Sequence, residues 1–187
     1  RCNGTLLCDF KVDKVYSVID VMKRDDAASN NADQLREFII GPWKGFFHDS
    51  RAEQVLNSQT GISLESWQLT TMTGLCVPLL TSNPNATVLS IGLNGGILQS
   101  FLINKFPNLN LDIVEPDAEF VQIAQEYFGY SMDQSISDQP RLHVQDPLHF
   151  CQSHSVKYNA VFVDEFGFDS HKKFSGEKYR KSLLKSV

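Results

Sequence analysis

Val88-Leu89-Ser90-Ile91-Gly92-Leu93-Asn94-Gly95-Gly96 is a short apolar run that ends in a glycine-rich turn, and three later segments repeat its layout. Asp112-Ile113-Val114-Glu115-Pro116-Asp117, His143-Val144-Gln145-Asp146-Pro147 and Ala160-Val161-Phe162-Val163-Asp164-Glu165 each close a brief apolar stretch with acidic residues. Between them, Leu98/Phe101/Leu102 and Phe120/Ile123/Ala124/Tyr127 recur at helical intervals. The order predicts strands over 88–92, 111–115, 142–145 and 160–164, with helices over 96–106, 118–128 and 148–153. Such alternation means parallel βαβ units. Residues 160–163 are apolar without alternation, as expected when helices cover both faces of the sheet. The fold class is therefore α/β, and its polar groups gather at the carboxyl ends of the strands, where open α/β sheets bind ligands.

Upstream, Leu69, Met72, Thr73, Cys76, Leu79 and Leu80 predict a helix over 65–80, ended by Ser82-Asn83-Pro84-Asn85. From Leu6 to about Ser63 the pattern is β-rich. Val12, Val15, Val18, Ile19 and Val21 read as one run, Phe38-Ile39-Ile40 as a second and Phe46-Phe47 as a third, separated by turn and charge clusters such as 23–33. A small antiparallel domain over 1–63, followed by the parallel-sheet domain over 64–187, is the expected organisation. From His171 onward six Lys and Arg residues face one acid, Glu177, and a solvated helix face fits this better than a binding patch because no aromatic series is interleaved. Only four parallel strands can be counted before Val187, and the last would leave an open apolar edge. A further C-terminal portion, a partner such as a second copy in a homodimer, or both, are expected to cover it. The start at Arg1 points likewise to a segment upstream.

The 187 residues, 42% of them hydrophobic, suffice for an ordinary core. A net charge of -5 argues against nucleic acid, whose phosphates need a basic face, and makes a cationic substrate easier to attract. No apolar run approaches the ~20 residues that span a bilayer, so no membrane partner is expected. Cys2, Cys8, Cys76 and Cys151 lack metal-ligand spacing. Cys2 and Cys8 are near enough to pair, but a reduced, cytoplasmic protein is the simpler expectation; the sequons at Asn3 and Asn85 are motifs that recur by chance.

Gly92 to Gly96 must turn sharply from strand into helix. Glycines there accept positive φ, Asn94 is the other residue suited to it, and the helix start beyond offers N–H groups to an anion. A tight turn that binds nothing fits equally. Glu115, 23 residues beyond Gly92, stands where a carboxylate can accept from both ribose hydroxyls. Asp146 can accept from an adenine amine, cap the helix that Pro147 starts, or both. Asp164 and Glu165 can orient or deprotonate an amine, or simply solvate a strand end. His143, His149 and His154 have no ligand spacing and are expected to be structural.

In this order the four segments resemble the class I S-adenosylmethionine-dependent methyltransferase fold, a Rossmann-like sheet, and within it the spermidine synthase-like branch. The resemblance runs from about Leu64 to Glu165, includes Val77-Pro78-Leu79-Leu80, and extends to Leu35-Arg36-Glu37-Phe38-Ile39-Ile40-Gly41 in the N-terminal β unit. It implies S-adenosylmethionine as cofactor, with Gly92, Leu93, Asn94, Gly95 and Gly96 lining its methionine part, Glu115 holding the ribose and Asp146-Pro147 the adenine. Asp164 matches the acid facing the acceptor amine, with Glu165 beside it. Spermidine synthases, however, carry a Tyr-His-Glu-Met cluster where this chain has Thr70-Thr71-Met72-Thr73, an aspartate in the glycine loop where it has Asn94, and a second strand-four aspartate where it has Gly167. A diamine needs anionic partners at both ends, which argues against aminopropyl transfer. The short loop is closer to the spermidine synthase-like methyltransferases of elongation factor 1A, though Asn94 replaces a glycine and Ser90 stands where many methyltransferases have an acid. The resemblance thus implies methyl transfer to an amine, of a protein or a small molecule, with a non-catalytic binding or dimerisation module as the alternative.

Overall fold

The computed structural model describes residues 4–12, 14–23, 33–40, 49–56, 64, 74, 76–131, 140–163, 181, 182 and 185. The chain divides into two compact units, Arg1–Leu69 and Thr70–Val187.

In the first unit, β1 (Gly4–Val12), β2 (Lys14–Lys23), β3 (Asp33–Ile40) and β4 (Asp49–Val55) form an antiparallel sheet in the order β1-β2-β3-β4. The expected single run from Val12 to Val21 is in fact interrupted: Val12 pairs with Lys14, so the chain reverses there and β1 and β2 are the arms of one hairpin. The β2–β3 pairing runs unbroken from Tyr16↔Ile40 to Lys23↔Asp33, and both Val18 and Leu35 are buried. The register shifts by one residue between Leu6 and Cys8 and between Phe38 and Ile39, which interrupts the ladder at those points. The expected strand at Phe46-Phe47 lies outside the described residues.

The first described helix of the second unit is α1 (Val77–Ser82), which overlaps the end of the helix expected over 65–80 and runs two residues past it; residues 65–73 and 75 of that expectation lie outside the described residues. Pro78 sits in its first turn, where its missing N–H costs nothing, and Asn83 N–H closes the last turn on Leu79. Then follow β5 (Thr87–Ile91), α2 (Ile97–Lys105), β6 (Asn110–Val114), α3 (Ala118–Tyr127), β7 (Arg141–His143), α4 (Pro147–Ser153) and β8 (Ala160–Val163). All four strands are parallel, in the order β7-β6-β5-β8. By order of appearance that is third, second, first, fourth, and the direction of winding reverses beside β5. A crevice opens at such a switch point, outside the carboxyl ends of the strands.

Parallel partners share a face, so Leu89, Ile91, Asp112, Val114, Arg141, His143 and Val161 lie on one side of the sheet and Val88, Ser90, Leu111, Ile113 and Leu142 on the other. On the first side Leu89, Ile91 and Val114 pack with Phe150 and Cys151 of α4, and Tyr158 and Val161 close the cluster. Phe150 is fully buried, worth about 1.5–3 kcal/mol of apolar burial. The second side is covered by α2, which reaches Ser90 through Gln99, and right-handed crossovers put α3 there too. Leu98, Leu102, Ile123 and Ala124 are buried as the spacing predicts. Phe101 is only half-buried, and Gln99 takes the fully buried place instead.

Candidate functional site

The β5–α2 turn carries the strongest local signature. Gly92 (φ 89°), Asn94 (φ 48°) and Gly96 (φ 69°) all adopt the left-handed region, and residues 92–96 are all buried. Gly96 N–H donates to the Leu93 carbonyl at 2.7 Å, closing the turn, and Ser100 N–H starts the helical ladder on Gly96. A side chain at Gly96 would meet the Tyr130 ring at 2.8 Å, so the glycine allows both the turn and the close packing behind it. Tyr130 is itself buried, which pushes its hydroxyl pKa up and keeps it protonated.

The three helix starts on this edge differ. Asp117 accepts from Glu119 N–H at 3.0 Å and caps α3, and Asp146 accepts from His149 N–H at 2.8 Å and caps α4, whose first turn holds Pro147. The α2 start has glycine at its N-cap, no side-chain cap and no acid in its first turn. N–H groups of a first helical turn have no partner within the helix, and the helix dipole adds partial positive charge. The α2 start can therefore take a carboxylate or phosphate.

Beside it stands Glu115, just past β6 and only 3% exposed. One of its carboxylate oxygens accepts from Leu93 N–H at 2.8 Å and the other from Asp117 N–H at 2.9 Å. The acid thus ties the glycine turn to the β6–α3 turn, while its own N–H donates to the His143 carbonyl of β7.

Gly92, Leu93, Asn94, Gly95, Gly96 and Glu115 are brought together here. Asp146 is half-buried in the next turn and makes the capping bond that was one of its two expected roles, and Pro147 is buried. Asp164 and Glu165, with Thr70 to Thr73 and Gly167, lie outside the described residues.

Sequence reasoning missed a second polar cluster on the α4 side. Asp112, 2% exposed, accepts from Arg141 through both oxygens (2.7 and 2.8 Å), lies 3.0 Å from His143 Nε2, and accepts from Tyr158 at 3.1 Å. Burial works to raise its pKa, but these hydrogen bonds and the Arg141 charge outweigh it and hold the carboxyl below its ordinary value. Burial, then the Asp112 charge, pushes the Tyr158 hydroxyl up, so it remains a donor. The available signal was an acid inside the apolar run Leu111-Asp112-Ile113-Val114, which requires a partner. His154 stacks on Phe150 with ring centroids 4.0 Å apart, and His143 packs on the same ring at 4.7 Å in a tilted arrangement. Among the described residues no group of His, Cys, Asp and Glu could hold a metal, and no helix is long and apolar enough to cross a membrane. Cys76 and Cys151 are free thiols; burial and then the Asp146 charge raise the Cys151 pKa.

No protein-family model matches the chain. An eEF1A lysine and N-terminal methyltransferase from Mus musculus is 36% identical over 75 residues, covering 40% of this chain and 10% of that protein. A polyamine aminopropyltransferase from Streptococcus uberis is 29% identical over 105 residues, covering 52% of this chain and 36% of that protein. The chain thus aligns with only a small part of either relative. Among solved structures, human methyltransferase-like protein 13 in complex with S-adenosylhomocysteine (SAH) superposes with a TM-score of 0.50 at 24% identity, covering 66% of this chain and 60% of that one. Spermidine synthase from Thermotoga maritima superposes with a TM-score of 0.58 at 12% identity, covering 97% and 53%. With the parallel order and the glycine turn, these likenesses identify the fold as the Rossmann-like α/β fold that class I methyltransferases and spermidine synthases share.

Proposed function

We propose that residues 64–187 carry the S-adenosylmethionine site of a methyltransferase that acts on an amine of a protein. The observation that supports this most is the junction of an uncapped α2 start with the buried Glu115 carboxylate at the sheet's switch point. The donor set fits the cofactor: N–H groups for its carboxylate, an acid for its ribose, and positive-φ residues that let a ligand approach the backbone. In this assignment Gly92 to Gly96 line the methionine part, Glu115 holds the ribose, and Asp146 and Pro147 border the adenine. The mouse relative, named an eEF1A lysine and N-terminal methyltransferase, supports both the reaction and a protein amine as acceptor.

S-adenosylmethionine supplies a methyl group made electrophilic by its sulfonium. The protein must therefore align an uncharged amine in line with it and exclude water. Asp164 and Glu165, which follow β8, would attract the amine, orient it and hold its proton. A cytoplasmic location accords with the free thiols of Cys76 and Cys151. A second copy over the β8 edge would give a homodimer.

A thermal-shift series with S-adenosylmethionine, SAH and methylthioadenosine tests the cofactor, because a ligand at a hundred times its Kd adds about 2.7 kcal/mol to a fold that alone binds it. The first two should raise the midpoint; no rise with either would overturn the assignment. A second reading, a non-catalytic module on the same fold, is favoured by the replacement of acids at Thr70 to Thr73, Asn94 and Gly167. Methyl transfer to lysate protein that Asp164→Ala abolishes would rule it out. The bacterial relative's name raises aminopropyl transfer, for which an assay with putrescine and decarboxylated S-adenosylmethionine should be blank.

A further inference from the structure

We propose that Gln99 is a positioning residue, one that orients the Glu115 carboxylate by gripping the opposite side of the Gly92–Leu93 peptide. Gln99 lies in the first turn of α2 and is fully buried. An apolar side chain would continue the buried stripe of Leu98 and Leu102 there at no polar cost. Its Nε2 donates instead to Ser90 Oγ and to the Gly92 carbonyl, both at 2.9 Å. A carbonyl can only accept, so the Gly92 bond fixes which end of the amide faces the strand. Oε1 is then left buried without a hydrogen-bond partner among the described residues. A buried carboxamide held one bond short breaks a local packing rule, as residues at functional sites do.

The link to Glu115 is a single rigid plane. The Gly92 carbonyl and the Leu93 N–H belong to one trans peptide and point in opposite directions. Gln99 binds the oxygen, and Glu115 Oε2 binds the N–H at 2.8 Å. The Gly92 N–H is tied to the Val114 carbonyl at 2.8 Å and the Leu93 carbonyl accepts from Gly96 N–H at 2.7 Å, so both neighbouring peptides are held and Gln99 and Glu115 are what hold the plane between them. Without Gln99 the plane can turn, the Leu93 N–H leaves the carboxylate, and the acid loses a bond that aims it. This inference rests on the cofactor assignment above for its consequence in binding, but not for the geometry.

Two readouts on the full chain separate the two. In Gln99→Met, amide hydrogen exchange at Leu93 should speed up at least about tenfold while Ile113 and Val114 keep their protection, which a general loss of stability would not produce. SAH affinity should fall about tenfold or more, and Gln99→Met combined with Glu115→Gln should lose little more than the worse single change, because both act through one peptide. Unchanged exchange at Leu93, or affinity losses that add, would overturn the proposal. If Gln99→Met does not fold, Gln99→Leu takes its place, and in the unaltered chain a Leu93 amide exchanging as fast as that of exposed Gly129 would refute it directly. If the unaltered chain binds no SAH, the cofactor assignment fails while the exchange result still judges Gln99.

Discussion

Asp112 and Glu115 are two buried carboxylates three positions apart on the same strand segment, yet their surroundings make them different devices. Asp112 lies mid-strand and is held by side chains: a bidentate arginine, a histidine and a tyrosine. Glu115 lies past the strand end and is held by backbone N–H groups of two turns. Side-chain partners spend a carboxylate on tying β6, β7 and the approach to β8 together. Backbone partners past the strand end fix its position and tie the glycine turn to the β6–α3 turn. Burial alone does not distinguish the two acids; the kind of partner does.

The largest test of this contrast is Asp112→Ala. It should destabilise the fold by about 3 kcal/mol, less than a fully enclosed pair because Arg141 is 43% exposed and can rehydrate. Denaturant titration reads the loss directly, and a change near zero would make the cluster ornamental. Next is Gly96→Ala, whose Cβ would press on the Tyr130 ring from 2.8 Å and whose φ of 69° disfavours any side chain. About 2 kcal/mol should be lost in the same titration. Glu115→Gln should cost only about 1 kcal/mol, because one of the two backbone N–H groups then faces an NH2 group. A loss as large as that of Asp112→Ala would erase the distinction.

The smallest effect concerns acid. The Asp112 pKa is depressed in the fold, so its contribution is fully present above the unfolded value of about 3.9 and is lost as the pH falls through the lower, folded one. Arg141→Met should weaken the depression of the Asp112 pKa and so flatten the acid limb below about pH 4. Stability measured from pH 7 down to about pH 2.5 shows whether that limb changes slope.

The parallel sheet was legible because each strand is a continuous apolar run bounded by turn residues, and the observed ends differ from the expected ones by a residue or two. β4 was not, since Asp-Ser-Arg-Ala-Glu-Gln-Val has no apolar alternation to mark it as the partner of the preceding strand. The β1–β2 reversal was hidden because the valines on either side of it continue one pattern. At the site, Gly92, Asn94, Gly96 and Glu115 were legible through conformational demand and spacing. Gln99 was not, because helical periodicity assigns its place to Phe101 and its partners lie in the preceding strand and turn. The Asp112 cluster joins residues 29 to 46 apart, beyond any local pattern.

Calorimetric titration of SAH into the full chain, Asp112→Ala and Glu115→Gln, each well below its unfolding midpoint, tests the proposed nucleoside cradle most directly. Saturable one-to-one binding is expected for the unaltered chain and for Asp112→Ala, with affinity at least about tenfold weaker in Glu115→Gln, a difference of about 1.4 kcal/mol. No binding by the unaltered chain, or equal binding by Glu115→Gln, would contradict it.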